Sequence, residues 1–280
     1  MELSTNIDYL RAQRGTLERR DIASCAKIVK QAGFKYVDCS AVHYLMEDNW
    51  KEIAFNEKSA LDKEGLIVDQ THAPFNFDDY DEQTFKLHMQ RAFEITKLMG
   101  AKNIVVHASN YKPGENGFDF NAALNTVYDF YAPYVEYAKK AGIGVAIENL
   151  CGRSDRKPVL FTCYVEEQKA IIDKFNDPCV NACWDFGHGM VTYGDKHLEM
   201  LKLFEGKLAC THVHDNRRGR DLHQPPFFGE GNWEAVVKYL KESGYDGKFT
   251  FELVYGCIPD ALIQKYMDFL YETGEYMLSL

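Results

Sequence analysis

Short apolar, β-branched runs alternate with longer amphipathic stretches eight times along this chain. That alternation constrains the fold more than any other feature. The strand-like runs cover residues 1–6, 34–40, 66–74, 103–109, 144–150, 180–187, 208–214 and 248–254. The spacing of apolar residues predicts helices over 20–33, 48–65, 80–100, 121–142, 164–175, 198–204, 232–244 and 259–278, most of them stopping at or near a glycine. Parallel strands need long crossovers, usually helical, so this alternation implies parallel pairing. Runs such as Ile104-Val105-Val106 and Val145-Ala146-Ile147 are apolar throughout, as strands covered on both faces are. Eight such units in 280 residues fit a closed (β/α)8 barrel, an α/β fold of about 250 residues in its usual form. An open doubly wound sheet would normally carry a glycine-rich first turn, and no G-x-G-x-x-G follows the first run. No linker, repeat or low-complexity stretch breaks the pattern, so one barrel domain over residues 1–280 is expected.

Six of the eight runs deliver His, Asp or Glu at the C-terminal end. They do so at Asp69 and His72, His107, Glu148, Asp185 and His188, His212 and His214, and Glu252. In a barrel these ends converge on one rim, the rim that hosts active sites. Carboxylates crowded into a closed pocket repel one another, and a divalent cation removes that repulsion. Mixed His, Asp and Glu donors suit Zn, Mn, Co or Fe better than Ca, and a set without cysteine disfavours a structural zinc site. Taken singly, each residue has a plainer reading. His107 after two valines fits a core histidine bonded to a backbone carbonyl, and Asp185 fits a helix N-cap. Glu148 after Val-Ala-Ile has no such structural excuse, because buried carboxylates are rare unless paired. The joint pattern points to a metal site.

Charge and cysteine usage narrow the class. The chain has 32 Lys and Arg against 42 Asp and Glu, a net charge of −10, which argues against a nucleic-acid partner needing a basic stripe. Every apolar run is cut by a charge or a histidine well short of the roughly 18 residues a membrane span requires. The first residues carry no apolar leader, so the default address is cytoplasmic. None of the eight cysteines forms a C-x-x-C pair, and they read as reduced core residues.

Five segments carry a resemblance: Val145-Ala146-Ile147-Glu148-Asn149, Trp184-Asp185-Phe186-Gly187-His188, Thr211-His212-Val213-His214-Asp215, Gly229-Glu230-Gly231 and Phe249-Thr250-Phe251-Glu252. Through them the whole chain resembles the xylose-isomerase-like TIM barrels. That superfamily includes sugar-phosphate isomerases and epimerases, inosose dehydratases and apurinic endonucleases. The resemblance implies one divalent ion (Mn, Co, Mg or Zn) held by Glu148, Asp185, a seventh-strand histidine and Glu252. The family's H-x-x-D pattern assigns that histidine to His212, three residues before Asp215; His214, on the same strand face, is the rival. The endonuclease branch adds ligands for a three-zinc cluster, at places matching His72, His107, His188, Asp221 and His223. In some sugar-converting members, similar histidines contact the sugar instead. Those five residues and His214 are therefore expected to touch substrate or further metals.

The chemistry expected is proton transfer beside a metal-chelated carbonyl, with Glu148 and Glu252 as the acid–base pair. Their plainer role is as ligands alone. Two basic clusters lie near strand ends: Arg153, Arg156 and Lys157, and the trio Arg217, Arg218 and Arg220. The trio, Arg218 above all, is expected to hold a sugar phosphate or hydroxyls. Phe75, Phe77, Trp184 and Phe228 are expected to wall the sugar's apolar face, or else to pack in the core. The reading that results is a metal-dependent isomerase or epimerase of a sugar, sugar phosphate or cyclitol. Its partner is a small carbohydrate, and the resemblance implies a homo-oligomer. The alternatives are a phosphodiesterase resembling apurinic endonucleases, with a multinuclear zinc site, and a non-catalytic sugar-binding barrel.

Overall fold

A computed structural model describes residues 1–12, 19–39, 42–75, 81–108, 111, 117–151, 160–255 and 257–280. Its eight barrel strands fall on the eight apolar runs. They are β1 (Glu2–Asn6), β2 (Tyr36–Asp38), β3 (Ile67–His72), β4 (Asn103–Val106), β5 (Gly144–Glu148), β6 (Val180–Asp185), β7 (Leu208–Val213) and, after a hairpin, β10 (Lys248–Phe251). They close in the order β1-β10-β7-β6-β5-β4-β3-β2, every pair parallel. Expected and observed ranges differ mainly at C-terminal ends, where ladder pairing stops one to three residues before the apolar run does.

The helices are α1 (Ile7–Arg11), α2 (Ile22–Ala32), α3 (Trp50–Lys63), α4 (Glu82–Met99), α5 (Phe120–Ala141), α6 (Val165–Phe175), α7 (Phe186–Tyr193), α8 (His197–Leu201), α9 (Trp233–Glu242) and α10 (Asp260–Ser279). Side-chain caps start them where the sequence offers an acceptor. Asp21 takes Ser24 N–H at 3.0 Å for α2, and Asp119 takes Ala122 N–H at 2.9 Å for α5. Their apolar faces and the outer strand faces form one continuous core that includes Phe93, Tyr131, Trp184 and Trp233. Inside the barrel a smaller layer of Val105, Ala146, Cys183 and Cys210 forms the floor. Among the described residues no helix is long and apolar enough to cross a membrane. Six of the eight cysteines are buried as expected, but Cys179 is half-buried and Cys257 exposed.

Three elements were not anticipated. α1 is five residues long, too short for a periodic signal, and starts at once after β1 because Asn6 accepts Tyr9 N–H at 3.1 Å. α7 starts on Asp185, whose carboxylate accepts His188 N–H at 2.7 Å. The expected helix over 198–204 is α8 followed by a 3-10 turn, Lys202–Phe204. The third is an antiparallel hairpin, β8 (Asp215–Arg217) with β9 (Arg220–Gln224). Arg218 and Gly219 turn it with φ of 52° and 62°, the doubly positive geometry of a tight two-residue hairpin loop.

His197 at the head of α8 is 3% exposed. Burial drives its pKa down to about 4, with only Asp195 working the other way. The unfolded chain therefore takes up this proton first, near pH 6.5, while the fold refuses it until about pH 4. The stability it supports is complete above pH 6.5 and falls as the solution is acidified towards pH 4. Between pH 7.5 and pH 5 this one group should remove about 2 kcal/mol. Urea unfolding of wild type and His197→Gln at both pH values measures it: the variant should lose that much less on acidification. Equal acid sensitivity would contradict a neutral buried His197.

Candidate active site

The two-residue strand period builds the site from the barrel floor upward. Two residues beyond Val105, Ala146, Cys183 and Cys210 along the same strand faces come His107, Glu148, Asp185 and His212. On β3 the same step runs from Gln70 to His72. Asn149 then locks two strand ends together. Its side chain donates to Asp185 O at 3.0 Å and accepts Asp185 N–H at 2.7 Å, which ties the end of β5, just past Glu148, to Asp185 at the end of β6.

Donor atoms of Glu148, Asp185, His212 and Glu252 lie within 4.8 Å of one another, and all four residues are buried. His212 Nδ1 stands 3.1 Å from Glu148 Oε1, 3.6 Å from Glu252 Oε2 and 3.8 Å from Asp185 Oδ2. His214 faces elsewhere. Its Nε2 meets Asp185 at 3.0 Å and its ring stacks on His223 at 3.9 Å. It belongs to a second group, His188, His214, Asp221 and His223, also within 4.8 Å; His72, His107 and Glu148 form a third. Gly187 makes the second group possible, since a Cβ there would overlap the His214 ring. The hairpin supplies Asp221 and His223. His223 is held at φ 48°, a strained conformation for a non-glycine residue, by a 2.9 Å contact from its Nδ1 to Glu252 O.

Imidazoles set the electrostatics. Burial alone would raise the Glu148 carboxyl, but His212 and His107 hold it well below the ordinary carboxylate range. Burial likewise opposes the charge on Asp185, and His188 and His214 overcome it, pulling the pKa down to about 2. Burial resists charging His72, yet Asp38 at 2.9 Å and Glu252 raise it to about 10. His107 goes the other way: burial lowers it, offset in part by Glu148, so its lone pair stays available. His107 Nε2 and Glu148 Oε2 are 2.8 Å apart yet Glu148 Oε2 finds no aligned hydrogen bond. Glu252 Oε2 is likewise buried without one. Close, misaligned donor atoms of this kind suit a shared third centre better than each other, and N/O donors of this mix fit a divalent transition ion.

Above the cluster opens a cavity of about 490 Å3. His72, His107, Glu148, His188, Asp221, His223 and Glu252 line it; Asp185, His212 and His214 lie beneath. Of the expected aromatic wall, only Phe75 is there among the described residues, 4.2 Å from the His107 ring. Trp184 is fully buried against Phe204, because it alternates with the inward Cys183 and Asp185 and so points outward. Phe228 is exposed and packs on Phe269 of α10. Arg218 is at the exposed hairpin tip, its backbone N–H on Glu230 at 3.1 Å, and does not line the cavity. Phe77, Arg153, Arg156 and Lys157 lie outside the described residues.

Several cavity and supporting residues were not anticipated. Asp8, Tyr9, Arg19 and His43 line the cavity from the first two βα connections. Below it, the Gln70 amide nitrogen lies 2.9 Å from His212 Nε2 and 3.1 Å from Asp38 Oδ2. Asp38 had a signal: it ends β2 as Glu148 ends β5. Extending that run to residue 40 hid it.

A family model described as xylose isomerase-like TIM barrel matches residues 26–273. A D-tagatose 3-epimerase-like protein of known structure superimposes with a TM-score of 0.73 at 20% identity, covering 100% of both chains. A crystal structure of IolI protein with a zinc atom bound gives 0.76 at 17% identity, covering 100% of this chain and 98% of that one. An AP endonuclease of family 2 from Brucella melitensis gives 0.70 at 17% identity, over 91% and 93% of the two chains. At these identities the structural likeness is one of fold.

Proposed function

Because the chain belongs to the xylose isomerase-like TIM barrel family, we propose that it is a metal-dependent isomerase or epimerase of a small carbohydrate. The observation that carries this reading is the convergence of Glu148, Asp185, His212 and Glu252 within 4.8 Å under a cavity. These four would hold the ion, with His212 rather than His214 because only His212 faces all three carboxylates. A divalent ion there supplies Lewis-acid polarisation of a carbonyl oxygen, which acidifies the neighbouring C–H. Glu148 and Glu252 come from strand ends three places apart round the barrel, so they approach a substrate from well-separated directions. One takes a proton from carbon and the other returns one. His188 and Asp221 stand over the cluster where a substrate hydroxyl would lie, their side chains 3.5 Å apart.

A second reading has a specific observation behind it. The groups His72–His107–Glu148 and His188–His214–Asp221–His223 could hold two further ions, as a multinuclear phosphodiesterase requires. Against it, Arg19 is the sole lysine or arginine among the described cavity-lining residues, and a phosphodiester backbone calls for more. Elemental analysis of protein purified without chelators separates the two. About one ion per chain, with turnover in a ketose panel, supports the isomerase; about three, with nicking of abasic DNA, supports the phosphodiesterase. Protein that neither retains nor titrates a divalent ion ends both. Losing a group that supports a ligand typically weakens a metal site about 10–100-fold, so His214→Ala, which removes the partner of Asp185, should cost about that much and His212→Ala more. The reverse order would move the ligand to His214.

A further inference from the structure

The cavity does not end at the cluster. It continues to a second polar wall that the proton chemistry does not use. Asp8 of α1, His43 of the 3-10 turn Val42–Tyr44, and Arg19 all line it. Asp8 is 6% exposed, and its Oδ1 lies 3.4 Å from Arg19 Nη2, 3.6 Å from Arg11 Nη1 and 3.8 Å from His43 Nδ1. Arg19 also donates to the Asp8 backbone carbonyl at 3.1 Å. Behind this wall, Glu57 of α3 takes Arg11 at 2.6 Å and faces His43 Nε2 at 3.4 Å. Pinning α1 to α3 accounts for Arg11 and Glu57, which are buried outside the cavity lining. It does not account for a carboxylate, a guanidinium and an imidazole presented side by side to the cavity.

Their chemistry selects a ligand. Asp8 and Glu57 balance Arg11 and Arg19, so among the described residues this wall has no unneutralised guanidinium to offer a phosphate or carboxylate. Vicinal hydroxyls, in contrast, want an acceptor next to donors, each hydroxyl giving one proton and accepting another. Tyr9 joins the two polar regions: it follows Asp8, lines the cavity and packs edge-on to His223 at 6.0 Å. We propose that Asp8, Arg19 and His43 form a hydroxyl-binding subsite for the uncharged, non-reacting end of the substrate. The substrate is then a polyol-like sugar or glycoside that reaches from Glu252 to Asp8, without a phosphate at the far end. The subsite rests on the carbohydrate reading above.

Calorimetric titration of Mn-loaded protein with three probes tests it: dihydroxyacetone, which occupies the metal end alone, D-fructose, and D-fructose 6-phosphate. Asp8→Asn and Arg19→Gln should each weaken D-fructose by roughly tenfold, the worth of a hydrogen bond left unmade, and leave dihydroxyacetone within about twofold. Arg19 is partly exposed, so its variant keeps the fold if Asp8→Asn loosens α1. The subsite is overturned if wild type binds D-fructose and neither variant changes it, or if both ketoses weaken alike. It is also overturned if D-fructose 6-phosphate binds more tightly than D-fructose by a margin that Arg19→Gln abolishes. Wild-type protein that binds none of the three overturns the carbohydrate reading itself, and the subsite with it.

Discussion

Under the proposed two-base scheme, replacing Glu148 or Glu252 by Gln should lower turnover of the metal-loaded protein by roughly 10²–10⁴-fold, the contribution of a positioned acid or base. Gln keeps the shape and one oxygen ligand but cannot accept the proton. The two sites should differ in metal retention. Glu148 belongs to two donor groups and is gripped by His107 at 2.8 Å, His212 at 3.1 Å and His188 at 3.4 Å. Its loss should release metal as well as rate. Glu252 has His72, His212 and His223 at 3.5, 3.6 and 3.7 Å, a looser hold than that on Glu148. Glu252→Gln should therefore keep metal while losing turnover. Exchange of substrate C–H with solvent deuterium supplies an independent readout, each variant altering exchange at one face. If instead the loss tracks metal content and excess metal restores the rate, both residues are ligands alone and the two-base scheme fails.

The largest stability loss is expected at Asp215, a residue that never meets the cavity. Its fully buried carboxylate accepts Asn216 N–H at 2.9 Å, Phe227 N–H at 3.0 Å, Gly231 N–H at 3.0 Å and Trp233 Nε1–H at 2.9 Å. Asp215→Ala strands four donors at once, each worth about 1–3 kcal/mol when buried unmet. The fold should lose at least about 4 kcal/mol in urea unfolding, with Asp215→Asn intermediate. A loss under about 1 kcal/mol would show that water replaces the carboxylate easily. The effect reaches the site because Asp215 opens the hairpin that carries Asp221 and His223. It also explains the glycine before Glu230: a Cβ on Gly229 would overlap the Asp215 carboxylate and Asn216 O.

This motif shows how far the sequence reaches. The spacing of His212, Asp215 and Gly229-Glu230-Gly231 is visible as a pattern, and the pattern marks the residues as a set. That His212 turns inward while Asp215 anchors a loop follows from strand pairing that ends at Val213. Asp185 bears out the N-cap reading and also faces His212 and His214 with the same carboxylate. Trp184 could have been assigned to the outer core from strand alternation alone. Arg218 could not have been excluded from the cavity without the hairpin, whose strands are too short and polar to show a period.

By itself the sequence determined the barrel, because each buried parallel strand writes its own apolar run and each covering helix its own period. It also determined which strand ends carry metal-type side chains, because alternation fixes which face a residue is on. Closure of the barrel decided the rest. Gln70 reaches His212 across 142 residues, and Asp8 meets Glu57 through Arg11, across two βα units. Local periodicity encodes a face and not a distance, so contacts of that range exist only once all eight strands have closed into one ring.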